Sequence, residues 1–210
     1  MSIVGASFAL GGCKIVATPK KSAGNEDSAD NSGFDPNKMV RDIWDAKVIP
    51  YLAAKAGKFS EVNDLARANP DEAGKKYGFR QKEGSEPWTL IVKIEGRIVA
   101  AETTSRAATI SVDNGGDGKV VAIVQIGPAM RGTALRDALD FVSFNDFKNQ
   151  IDYAQFGKAF NQYANQTFLS ALPRDKLVGR AVTILGAYTL ESGDSPPLVT
   201  PAQLTLGPAS

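Results

Sequence analysis

The order of extended and helical segments constrains this chain more than any other feature. Trp88, Leu90, Val92 and Ile94 alternate with Thr89, Lys93 and Glu95, so one face of an extended segment meets a core. Gly96 interrupts the alternation and Ile98 to Ala101 resumes it, as a strand does when it bends at a barrel corner. Ala108, Ile110 and Val112 predict a second strand, and DNGGDGK (113–119) is a turn-rich hairpin connection. KVVAIVQI (119–126) is apolar on both faces and is expected to be the most buried strand. A long helical interval follows, then VGRAVTILGAYTL (178–190) with a mid-strand Gly186. After ESGDSPP, a short strand from Gln203 to Leu206 ends the series. Three strands, a helical insertion and two strands, with glycines where strands coil, predict an OB-like five-stranded β-barrel. A generic α+β sandwich is the alternative.

Helices precede the strands. Asp35 is suited to cap a helix and Pro36 to fill its first position. Val40, Ile43, Trp44, Val48, Tyr51 and Leu52 then recur on one face, with Pro50 expected to kink or end the run. Ser60 to Ala68 and Asp71 to Tyr77 predict two more short helices, the second stopping at Gly78. The fold class is therefore α+β, an N-terminal helical region (34–80) followed by the barrel (81–208). Its helical insertion (131–172) falls between strands 3 and 4.

What lies before Phe34 has a different character. Residues 3 to 12, IVGASFALGG, are small and apolar, and Cys13 is the one cysteine in 210 residues. Leu10-Gly11-Gly12-Cys13 resembles the lipobox of bacterial lipoprotein precursors, in which small residues let a peptidase reach the backbone before a cysteine that receives diacylglycerol. Residues 1–12 are thus expected to be a signal segment. No Lys or Arg precedes Cys13, so a basic leader is expected ahead of Met1. ATPKKSAGNEDSADNSG (17–33) has no aromatic or large aliphatic residue and cannot bury enough surface to order itself. Residues 13–33 are expected to act as a tether reaching roughly 20–25 Å.

Composition narrows the chemistry. The chain contains no histidine, which removes Ser-His-Asp and Cys-His catalysis and the zinc sites that rely on imidazole. A net charge of +1 provides no field for nucleic acid, so no nucleic-acid partner is expected. Asp113, Asn114 and Asp117 offer oxygens, yet no bidentate Glu closes a twelve-residue calcium loop. Neither metal nor cofactor is expected.

The segment 131–166 sets phenylalanines beside amides and carboxylates, the groups that recognise sugars by ring stacking and bidentate hydrogen bonds. Thr133 and Asp152 are suited to cap helices, and Phe156, Phe160, Ala164 and Phe168 fall at helical spacing, which assigns the phenylalanines chiefly to the core. The FNDFKNQ connection offers Asn145, Asp146, Asn149 and Gln150 as ligand-binding candidates. Arg106 and Arg131 join them as clamps for a carboxylate or phosphate. A structural bridge with Asp137 or Asp140 is the favoured alternative for each.

The stretches FDP…IWDAKVIPYLAAKA, GKKYG, PWTLIVKIEG, SRAA, QIGPAMRGTALRDALDFVSFNDFKNQIDYAQFGKAFN and PLVTP resemble a bacterial family of predicted periplasmic lipoproteins. The resemblance runs from Cys13 nearly to the end. It implies a protein held to a membrane in the periplasm by a lipid on Cys13. Because members of that family tend to be encoded beside sugar ABC-transporter components, it also implies a sugar-type small molecule or a transporter component as partner. It carries over no catalytic residue. The expected function is a non-enzymatic binding or accessory module, with a carboxylate-dependent glycoside hydrolase using Asp137, Asp140, Asp146 or Asp152 as the alternative.

Overall fold

A computed structural model describes residues 33–82 and 86–208. Cys13, the signal segment and the tether up to residue 32 lie outside the described residues.

The body begins where Asp35 accepts a hydrogen bond from the Lys38 N–H at 2.9 Å and Pro36 opens the first helix. That helix, α1 (Pro36–Ile43), passes through a π-helical turn (Trp44–Val48) into α2 (Ile49–Lys55). Pro50 therefore neither ends nor breaks the run. The wider turn ahead of it re-phases the hydrogen-bond ladder at the point where a proline N–H is missing. Val40, Trp44, Val48 and Leu52 form the buried stripe. Two short helices follow, α3 (Phe59–Ala68) and α4 (Pro70–Tyr77), the latter capped by Asn69.

Five strands build the barrel: β1 (Thr89–Glu102), β2 (Thr109–Asp113), β3 (Ala122–Gln125), β4 (Ala181–Thr189) and β5 (Leu198–Leu206). The first half of β1 pairs antiparallel with β4, from Thr89↔Thr189 to Arg97↔Ala181, and its second half pairs with β2. Next, β2 pairs with β3, β3 runs parallel to β5, and β5 returns antiparallel to β4. The ring β1-β2-β3-β5-β4 is closed, so none of its strands is left as a free edge to template aggregation. The side of β1 that β2 does not reach near its start pairs with two-residue strands, Gly57–Lys58 and Gly78–Phe79, from the helical region. Gly96 sits at the corner, where a methyl group would lie 2.4 Å from the Asp113 carbonyl oxygen. This is the close backbone approach the sequence implies.

Between β3 and β4 lie α5 (Ala134–Asp137), a 3-10 turn (Phe144–Asp146), α6 (Gln150–Ala164) and a π turn (Asn165–Leu169). Phe156, Phe160 and Ala164 are buried and Trp44 packs on Phe160, so α6 joins α1 to the barrel core. Arg174 donates to the Leu169 and Ile126 carbonyls and ties the end of the insertion to the end of β3.

Three further expectations change. The third strand starts only at Ala122, and Val120 is 37% exposed, because the ladder with β2 begins at Ala122↔Val112. The segment 119–126 is thus not the most buried strand. The last strand begins at Leu198 and includes Pro201, which lies at the register shift facing Gly186. Helix α6 is capped by Asn149, which accepts from the N–H groups of Ile151 and Asp152 at 2.8 and 2.9 Å. Asp152 is inside the first turn, and the Thr133 hydroxyl bonds Asp137 rather than the backbone.

Candidate functional site

Beside the start of β1 and the end of β4 lies an open groove of about 920 Å³. Its wall is built where α3, α4 and the β4–β5 connection converge. Trp88 donates its indole N–H to Asp71 at 2.8 Å, and the Arg80 guanidinium stacks over the indole at 4.1 Å while its Nη1 reaches Asp71 at 3.3 Å. The Trp88 hydrogen bond, with a smaller contribution from the Arg80 charge, holds the Asp71 carboxyl below its usual range. Stacking and pairing fix the orientation of a planar guanidinium, which lowers the entropy cost of using its remaining donors.

Arg131 enters the same groove from the β3–α5 connection. Its backbone is pinned from below. Buried Gln125 accepts from the Arg131 N–H at 2.7 Å and donates to the Arg131 carbonyl at 3.0 Å and to Thr200 at 2.9 Å. On the opposite rim Arg67 lies 3.5 Å from the fully exposed Asp194. Asp71, Glu86, Glu191 and Asp194 share the lining with the three arginines, so the surface is mixed in charge. Two buried polar atoms of groove residues, Tyr188 Oη and Arg80 Nε, find no hydrogen-bond partner among the described residues. Such atoms are rare in native structures and call for an explanation.

A second cleft of about 500 Å³ adjoins the first and shares Arg80, Glu86, Pro87 and Thr189 with it. Phe144, Gln150 and Tyr153 line it from the insertion and Gln81 from outside it, the Gln81 and Tyr153 side chains being hydrogen-bonded at 2.5 Å.

The structure separates the six sequence candidates. Arg131 lines the large groove and Gln150 the smaller cleft. Asp146 accepts from the Ser143 N–H at 2.8 Å in a capping box, and Asn149 caps α6. Their side chains therefore serve helix starts. Asn145 is exposed in the same 3-10 turn. Arg106 is exposed in the β1–β2 turn, where its carbonyl accepts from Ala129. Neither arginine pairs with Asp137, because Arg136 takes that carboxylate at 2.5 Å. Asp140 instead lies beside Tyr51, whose hydroxyl is pushed up to about 12 by burial and then by the Asp140 charge. The sequence reading missed Arg80, Trp88 and Tyr188. Trp88 and Tyr188 enter it only as parts of two strands, 88–101 and 178–190, which mark core rather than site, and Arg80 carries no signal. In the DNGGDG turn, Asp113 accepts from the N–H groups of Gly115, Gly116 and Gly118 at 2.7–3.0 Å. That carboxylate shapes a hairpin, and among the described residues no group of three acidic or cysteine side chains is arranged for a metal.

Comparison with known proteins fits this architecture. An OB-fold protein from Thermotoga maritima, solved at 1.90 Å, superposes with a TM-score of 0.65 over 83% of this chain and 99% of its own. At 21% identity it shows the fold alone. A structure described as an OBody bound to hen egg-white lysozyme overlaps with a TM-score of only 0.29, at 13% identity over 56% of this chain and 79% of that one, and carries no argument. No curated protein matches. The family described as "Predicted periplasmic lipoprotein (DUF2291)" matches residues 3–205. The chain belongs to that family, and is a lipid-anchored protein of the bacterial periplasm with an OB-like barrel as its body.

Proposed function

We propose that this protein is a non-enzymatic binding module of the cell envelope that takes a small polyhydroxylated molecule, of the sugar class, in the groove beside Trp88. It would act as an accessory to uptake through a membrane transporter. The observation that carries the reading is one open groove of about 920 Å³ whose lining sets the Trp88 indole and the Arg80 guanidinium stacked on it beside Arg131. The mixed charge of the lining suits a neutral ligand with many hydroxyls, each of which both donates and accepts, better than it suits a bare anion. Of the sequence candidates, Arg131 and Gln150 stand where they would contribute. The lipid attachment at Cys13 would keep the module at the membrane where a transporter works.

Two experiments test this. In thermal unfolding with pentoses, hexoses and polyols, a true ligand at ten times its dissociation constant adds about 1.4 kcal/mol. For a chain of this size that raises the midpoint by roughly 3–6 °C. A flat response across all three classes ends the sugar reading. Separately, Cys13→Ser is expected to move the protein from the membrane pellet to the soluble fraction, and unchanged fractionation would refute attachment at that residue.

A further inference from the structure

The chain enters its folded body at Phe34, and the surroundings of that residue give the body an orientation. Phe34 packs edge-to-face on Phe147 with centroids 6.1 Å apart. Phe147 contacts Tyr153 at 5.3 Å, and Tyr153 holds Phe144 edge-on at 5.5 Å. The segment that leads back to Cys13 therefore leaves the body beside the 3-10 turn and the N-terminal end of α6.

That end displays apolar side chains that the core does not use. Phe144 is 44% exposed and Ile151, in the first turn of α6, is 68% exposed. Gln150, Ile151, Ala154, Gln155 and Lys158 continue from them as a shallow strip along the helix. The carboxylates nearby are engaged: Asp35 and Asp146 accept backbone N–H groups at helix starts, and Asp152 accepts from the Asn149 side chain at 3.2 Å. Exposed Lys148 and Lys158 flank the strip. A Phe and an Ile beside lysines whose long stems carry charge outward form the composition that settles at a bilayer interface.

We propose that this end of the helical insertion faces the membrane, with Phe144 and Ile151 entering the interfacial layer of the bilayer that holds the lipid on Cys13. The occupant follows from the anchor and from where the chain leaves the body. Residues 14–33 span at most roughly 70 Å when fully extended, so the body stays near the bilayer. The end at which Phe34 sits is the end that the anchor draws toward it. The reading rests on the lipid anchor and on the aromatic contacts of Phe34, and it shares Phe144 and Gln150 with the smaller cleft while leaving the large groove untouched.

The test uses the full lipidated chain, whose own thiol is taken up by the lipid, in protein-free phosphatidylcholine vesicles. Ile151→Cys, and in a second preparation Phe144→Cys, is labelled with the environment-sensitive fluorophore NBD. Both are expected to show blue-shifted emission, several-fold brightening, and quenching by bromine-labelled lipid. Val178→Cys is the control. Val178 is 60% exposed and precedes Gly179, which bonds the Ile98 carbonyl near the Gly96 corner. It should keep the spectrum of a label in water. Water-like spectra at both 144 and 151 would overturn the proposal. A shift seen in native envelope membranes and absent from protein-free vesicles would also overturn it, and would assign the face to a protein partner.

Discussion

Replacing Arg136 by alanine is expected to lower the stability of the folded body by about 3 kcal/mol. The side chain is 8% exposed and its donors are distributed among three groups. Nε and Nη2 reach Asp137 at 2.8 and 2.5 Å, Nη1 reaches the Tyr153 carbonyl at 3.0 Å, and Nη2 reaches Thr133 at 3.1 Å. The guanidinium also lies 3.7 Å from the centre of the Tyr153 ring. It thereby joins α5 to α6, at a place where a methyl group on Gly157 would come within 2.8 Å of Nη1. Removing one member of a buried ion pair costs about 3–5 kcal/mol, because the other charge is left uncompensated. Asp137 retains the Thr133 hydroxyl and is 30% exposed, which places the loss at the lower end. Thermal unfolding should show the midpoint fall by roughly 6–12 °C. Arg136→Lys keeps the charge without the planar fork and should recover only part of the loss. If alanine and lysine variants melt together with the parent, the network does not hold the insertion.

Arg136 also illustrates what the sequence leaves out of view. In TALRDALD it looks like a surface charge on a short helix, and its burial depends on Gly157, a turn of α6 that only the fold brings alongside. Strand order and the bend at Gly96 were legible because alternation and a missing side chain are local signals. Pro201 concealed half of β5: a proline lacks the ladder donor, so a strand is expected only after it. The structure accommodates it at a bulge, facing Gly186, where a methyl group would lie 2.7 Å from the Thr200 carbonyl oxygen. The polar run FNDFKNQ drew notice by its chemistry. Asp146 and Asn149 are held by helix N-termini, where Asx side chains are strongly preferred. The groove was illegible for the opposite reason. Arg80, Trp88 and Tyr188 come from a helix exit, a strand start and a strand end, and the antiparallel register Thr89↔Thr189 brings them together.

Tyr188 gives the second large effect, and it appears at alkaline pH. The ring is 1% exposed and the hydroxyl has no partner among the described residues. Burial pushes its pKa up to about 12, with the Arg67 charge opposing the rise. Below pH 10 tyrosine is neutral in both the folded and the unfolded chain, so it contributes no pH dependence. Between pH 10 and 12 the unfolded chain gives up this proton while the folded chain keeps it, and stability falls as pH rises. A shift of that size amounts to roughly 3 kcal/mol once pH is well past 12. Tyr188→Phe removes the titrating group and leaves the ring, so its stability relative to the parent should grow by roughly 2 kcal/mol between pH 10 and 12. At neutral pH the variant should already be more stable by about 1 kcal/mol, since a buried hydroxyl without a partner is a cost. Urea unfolding of both proteins at pH 8, 10 and 11.5 measures the difference directly. A difference that does not change with pH would mean that the hydroxyl reaches water. A variant less stable than the parent at pH 8 would mean that the hydroxyl already has a partner.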